Sequence, residues 1–171
     1  MITGIILIVL TLFRVPSAII SGRNEAKIIA GGGVEYGQTN SKLLIVVQFL
    51  IYISTIVYAF VMDVPIGAHT YIGLLIYAVA MAFLVYVIRT LGRFWTFKLY
   101  IAKDHELIES PLFKFVRHPN YFLNIIPEVL SFAIISKAWI VFAPLFILHL
   151  LTLFNRIRLE EKMMKQKFRQ Y

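Results

Sequence analysis

Along the chain, apolar residues come in long blocks and polar residues collect between them. Five blocks stand out, at residues 2–20, 43–62, 71–88, 119–135 and 138–154. The second carries no charged residue in its 20 positions. A helix needs about 20 residues to cross ~30 Å of hydrocarbon at ~1.5 Å per residue, and each block is about that long. Helices are required because lipid offers no partner to an unpaired backbone group. The pattern predicts an all-α, polytopic integral membrane protein with about five transmembrane helices. Only Ser136-Lys137 joins the last two blocks, so these form a C-terminal helical hairpin, tilted or not fully crossing. Residues 1–171 read as a single membrane-embedded domain, because no sequence is left over for a second one.

Composition agrees. The chain has 171 residues, 60% of them hydrophobic, and a mean hydropathy of +0.80. Soluble domains sit near ~45–50% apolar. The net charge of +8 would fit nucleic-acid binding in a soluble chain. In a membrane chain it marks cytoplasmic loops, and no nucleic-acid partner is expected. Of the 17 lysines and arginines, all but Arg14 and Lys137 follow the first block, follow the third, or lie in the tail. Those segments share one side if every block crosses. The N-terminus is then outside and the C-terminus cytoplasmic, in a cell membrane that the bacterial resemblance below makes bacterial. The first block lacks a basic n-region and reads as a retained span, although "VPSA" imitates a cleavage site. With no cysteine, disulfides and thiolate metal sites are excluded. No histidine-carboxylate spacing suits a metal either.

Some polar residues fall inside the blocks, where they are expensive: Arg14, Gln48, Asn124, Glu128 and His149. Arg14 either snorkels or pairs with Glu128. His149 reads as a hydrogen-bonded core histidine. The connector at residues 21–41 holds Gly31-Gly32-Gly33, either a flexible link or a lid over a site; no Gly-Lys-Ser/Thr follows, so it is not a phosphate loop.

Two polar stretches remain. In "FKFVRHPNYF", residues 113–122, Pro119 disfavours helix at His118 and suits the first turn of the next helix. Arg117 and His118 thus stand at a helix entrance, where free N–H groups favour electron-rich ligand atoms. In "NRIRLEEKMMKQKF", Arg156 and Glu160 are four apart and share one helix face. That spacing fits an ordinary ion pair or a site at the hydrocarbon boundary.

The segment "HELIESPLFKFVRHPNY", followed about 35 residues later by "RIRLEE", resembles the isoprenylcysteine carboxyl methyltransferase family of membrane enzymes. "RNEAKIIAGGGVEYG" resembles its bacterial members. The resemblance implies S-adenosylmethionine as cofactor, with its region at about residues 92–171. It places His105, Glu106, Leu107 and Ile108 against the cofactor, together with Phe113, the run His118-Pro119-Asn120-Tyr121, and Glu160. Arg117 stands beside that run. Arg156 matches the arginine that meets the substrate carboxylate. The chain departs from the family at Ser110-Pro111, where Ser-Gly is frequent, at Phe113, where tyrosine is frequent, and at Leu123, where glycine is usual. These changes reshape the pocket beside the helix.

The implied reaction is O-methylation of a lipophilic small molecule or lipidated substrate drawn from membrane lipid. A carboxylate acceptor needs only orientation, from Arg156. A phenol or enol of a long-chain polyketide-type lipid needs a base, for which His118 or His105 could serve. The alternatives are an NADPH-dependent reductase sharing Arg-His-Pro-Asn-Tyr, a phospholipid N-methyltransferase, and a non-catalytic membrane scaffold or transporter.

Overall fold

The computed structural model describes residues 1–103 and 110–167. The helices are α1 (Ile2–Leu12), α2 (Val15–Ala30), α3 (Gln38–Val61), α4 (Ala68–Leu91), α5 (Pro111–Phe115), α6 (Ile126–Ser136) and α7 (Trp139–Lys167). Two strands, β1 (Val34–Tyr36) and β2 (Leu99–Ile101), lie among them. A 3-10 turn, Gly92–Phe94, extends α4, and a π-turn, Asn120–Ile125, leads into α6.

Among the described residues, four helical stretches are long and apolar enough to cross a membrane: Ile2–Ala30, Gln38–Val61, Ala68–Phe94 and Trp139–Lys167. The stretch Asn120–Ser136 is apolar but shorter, about 25 Å at ~1.5 Å per residue. The protein is therefore a nearly all-α, polytopic integral membrane protein. The tight turn between the last two helices is present, with Lys137 in the left-handed region at φ 55°. Beyond that turn, α6 packs chiefly on α4, and α7 on α3.

The first helical stretch differs from its apolar block in two ways. It bends at Phe13–Arg14, because Pro16, near the start of α2, has no N–H and its ring disturbs the preceding turn. It also runs ten residues beyond position 20, to Ala30. Hydroxyls serve the main chain near the bend: Ser17 donates to the Arg14 carbonyl at 2.7 Å, and Tyr77 to the Leu10 carbonyl at 2.7 Å.

The glycine run closes one helix and leads straight into a strand. Gly33 N–H donates to the Ile28 carbonyl at 2.8 Å and closes α2. The chain then enters β1, which pairs antiparallel with β2 in the register Val34↔Ile101, Glu35↔Tyr100, Tyr36↔Leu99. The strands are too short to leave an alternating pattern in the sequence. Gly37, at φ 62°, lies where a Cβ would run into the Leu159 side chain of α7. α2 is tied to the segment before β2. Asn24 Nδ2 donates to the Gly92 and Trp95 carbonyls at 3.0 and 2.8 Å. Ser21 Oγ accepts from Phe97 N–H at 2.9 Å, and Lys98 meets Glu25 at 3.0 Å.

Phe132, Val129, Ile51 and Leu7 fill the centre of the bundle and are fully buried or nearly so. Ile53, Leu75, Ile140 and Leu151 are exposed on its outside, as lipid-facing side chains should be.

Candidate active site

The last turns of α2, α4 and α7 and the start of α3 bring their lysines and arginines to one end of the bundle. The polar stretch before α6 lies at that end. Ser110 caps α5, its Oγ accepting from Phe113 N–H at 3.3 Å. The chain is extended at Val116 and turns into helix at Pro119. Tyr121 and Phe122 N–H groups both donate to the His118 carbonyl, at 3.0 and 3.2 Å. Pro127, at the start of α6, cannot donate to the carbonyl four residues back. The wider π-turn sits between these two prolines.

Tyr121 is the hub. Its hydroxyl donates to Glu160 Oε2 at 2.5 Å and accepts from Arg156 Nε at 3.2 Å. Arg156 and Glu160 do share one face of α7, and the hydroxyl bridges them. Arg156 is only 3% exposed. Its other nitrogens donate to Ser41 Oγ at 2.6 Å and to the Phe97 carbonyl at 3.3 Å. Four separate parts of the chain thus meet at one guanidinium.

His118 is buried and stacks on Tyr121, with the rings 5.7 Å apart and 22° from parallel. Its Nδ1 lies 3.5 Å from Glu160 Oε1 and its Nε2 3.3 Å from Glu161 Oε1. Burial opposes the imidazolium, but hydrogen bonds and charge from Glu160 and Glu161 outweigh it and raise the His118 pKa above its ordinary value. Arg117 Nη1 is 3.9 Å from Glu161 Oε1. Asn120 Oδ1 is buried and has no hydrogen-bond partner among the described residues. Phe113 is half-buried on α5. His105, Glu106, Leu107 and Ile108 lie outside the described residues.

The structure adds Glu161, Ser41 and Phe97 to the residues expected from sequence. Glu161 had a signal, since it doubles Glu160 in "LEEK". Ser41 and Phe97 have none, because they arrive from distant segments.

A second polar cluster lies deeper. Arg14 Nε pairs with Glu128 Oε1 at 3.3 Å, as one of the two sequence readings had it. Tyr52 donates to the same oxygen at 2.7 Å, and Gln48 donates to the Tyr52 hydroxyl at 2.6 Å. Arg14 Nη1 also donates to Asn124 Oδ1 at 3.4 Å, and Asn124 Nδ2 to the Ala80 carbonyl at 3.1 Å. His149 is a core residue, fully buried, but neither ring nitrogen has a hydrogen-bond partner among the described residues. The expected hydrogen bond is absent among the described residues.

Fold and site together define a helical integral membrane protein with a charged, partly open centre at its basic end. The model of the isoprenylcysteine carboxyl methyltransferase family matches residues 71–166, and the chain belongs to that family. The match begins in α4, ends in α7 and contains every site residue named above except Ser41. An uncharacterized protein of Haemophilus influenzae is 40% identical over 155 residues, 91% of this chain and 90% of the relative. The uncharacterized protein YpbQ of Bacillus subtilis is 23% identical over 163 residues, 95% of this chain and 96% of the relative. No solved structure matches.

Proposed function

We propose that the protein is an S-adenosylmethionine-dependent O-methyltransferase acting on a lipophilic acceptor at the cytoplasmic face of the membrane. One observation carries the reading: Tyr121 and His118 meet Arg156 and Glu160 at the basic end of the bundle. The positive-inside rule turns that end to the cytoplasm, in a bacterial cell membrane.

The residues present fit the cofactor. Glu160 is an anion whose side chain is 28% exposed, suited to an ammonium. Asn120 Oδ1 is a buried acceptor without an internal partner among the described residues, suited to an N–H donor. Phe113, Arg117, Pro119 and the segment His105, Glu106, Leu107 and Ile108 complete the proposed cofactor-binding set. When bound, S-adenosylmethionine supplies an activated methyl group. The chain's own task is to hold, orient and exclude water.

Arg156 orients the acceptor. Three of the five guanidinium N–H donors are engaged, to Tyr121, Ser41 and Phe97, which leaves two for an acceptor oxygen among the described contacts. A carboxylate arrives ionised and needs nothing more. A phenol or enol must lose a proton, for which His118 or His105 would serve as base, so a carboxylate asks less of the site. The acceptor, a lipophilic small molecule or lipidated chain, enters sideways from lipid.

The test has two arms. Purified protein is titrated with S-adenosylmethionine and, separately, with NADPH. Membranes are then incubated with methyl-labelled cofactor, and the labelled lipid-soluble molecule is identified. Binding of S-adenosylmethionine and a labelled lipid are expected; binding of NADPH alone overturns the reading.

A further inference from the structure

Arg14 lies outside the family-matched segment, at the bend between α1 and α2. A guanidinium inside a membrane span is costly unless something holds it. Two residues from a single helical stretch hold this one. Asn124, in the π-turn, accepts from Arg14 Nη1 at 3.4 Å, and Glu128, one turn further on in α6, meets Arg14 Nε at 3.3 Å. The Asn124 amide donates onward to the Ala80 carbonyl of α4 at 3.1 Å.

Tyr121 stands at the other end of the same π-turn. In a straight α-helix, at about 100° per residue, Tyr121, Asn124 and Glu128 fall on one face. A π-turn closes its hydrogen bonds one residue later and swings Tyr121 off that face by roughly a quarter-turn. One helix can then face two ways. Asn124 and Glu128 turn to Arg14 and α4, while Tyr121 turns to Arg156 and Glu160 on α7. Such turns are rare and persist only where the surroundings hold them. Pro127 opens this one by removing a donor, but a missing donor does not choose where Tyr121 points. The two-point grip of Arg14 does. A second route joins the same groups: the Arg14 guanidinium lies 5.5 Å from the centre of the Phe97 ring, and the Phe97 carbonyl accepts from Arg156.

We infer that Arg14 is a positioning residue for methyl transfer: by gripping Asn124 and Glu128 it holds the π-turn in the register that sets Tyr121 between Arg156 and Glu160. The kinetic half of this inference rests on the methyltransferase reading, and the structural half does not.

The experiment places 3-fluorotyrosine at position 121 alone and compares wild type with Arg14→Lys. Lysine keeps a cation for Glu128 but lacks the fork that reaches two partners at once. Thermal unfolding stays near wild type, the fluorine resonance moves, and kcat falls up to about 10-fold, no further than loss of the Tyr121 hydroxyl itself would take it. If Arg14→Lys does not fold, Arg14→Gln combined with Glu128→Gln, which buries no unpaired charge, is read in the same way. An unmoved resonance overturns the inference, and so does a wild-type kcat. Failure of both variants to fold assigns Arg14 to folding and also overturns it. A wild type that transfers no methyl group sinks the proposed function, while the resonance still decides whether Arg14 sets Tyr121.

Discussion

An arginine, a glutamate and a tyrosine meet twice in this protein, and the two meetings are built differently. In the deep cluster Arg14 touches Glu128 directly, and Tyr52 donates to the same carboxylate oxygen from the side. In the cluster at the basic end Tyr121 stands between the two charges, accepting from Arg156 and donating to Glu160. The deep carboxylate is fully buried, whereas the Glu160 side chain is 28% exposed and shares His118 with Glu161. A directly paired, sealed cluster can hold helices together but offers little to a ligand. A bridged cluster with an open carboxylate can exchange an internal partner for an external one. The same three residue types thus give a fastening in one place and the proposed binding site in the other.

The sharpest way to break this comparison is to remove one charge from the sealed pair. Glu128→Ala leaves Arg14 buried without its counter-ion and should cost about 3–5 kcal/mol of stability. Replacing both, Arg14→Met with Glu128→Leu, should restore most of that loss in a detergent unfolding assay. A single mutant as stable as wild type would show that water, not burial, surrounds the pair. At the open cluster the effect moves from stability to turnover. Glu160→Gln and Arg156→Ala should each lower labelled methyl transfer by about 10²–10³-fold. Full activity in either purified variant would remove the proposed site. Tyr121→Phe is smaller. It leaves Arg156 Nε and Glu160 Oε2 without their shared partner, a loss of about 1–3 kcal/mol, and turnover should fall about 10-fold or more.

The two clusters were not equally legible in the sequence. Spans could be read because lipid demands long apolar runs, and the basic end because lysines and arginines obey one sidedness rule. Arg156 and Glu160 could be paired because four residues make one helical turn. Arg14 and Glu128 stood out as charges inside apolar blocks, so their partnership was among the readings. What could not be read was the bridging role of Tyr121. It depends on a π-turn, which no apolar period announces, although Pro119 and Pro127 bracket it. Nor could Ser41 and Phe97 be found, since each reaches Arg156 across a large gap in the chain. The β1–β2 pair stayed hidden for a similar reason. Three residues per strand leave no alternation, and their partner lies about 65 positions away.

The last prediction separates the clusters by pH. His118 belongs only to the open one, and Glu160 and Glu161 hold its pKa above the ordinary value of about 6.5. The folded protein therefore binds this proton more tightly than the unfolded chain does. The resulting stabilisation is fully present below the unfolded pKa and is lost as pH rises through the higher, folded one. Wild type should be more stable than His118→Asn at about pH 6, and the gap should shrink steadily toward about pH 9. Thermal unfolding of both proteins across that range is the measurement. A gap that stays constant would mean that His118 contributes packing alone. A gap that widens with pH would mean that the neutral ring is the favoured form, and His118 would then stand ready as a base for a phenol or enol acceptor.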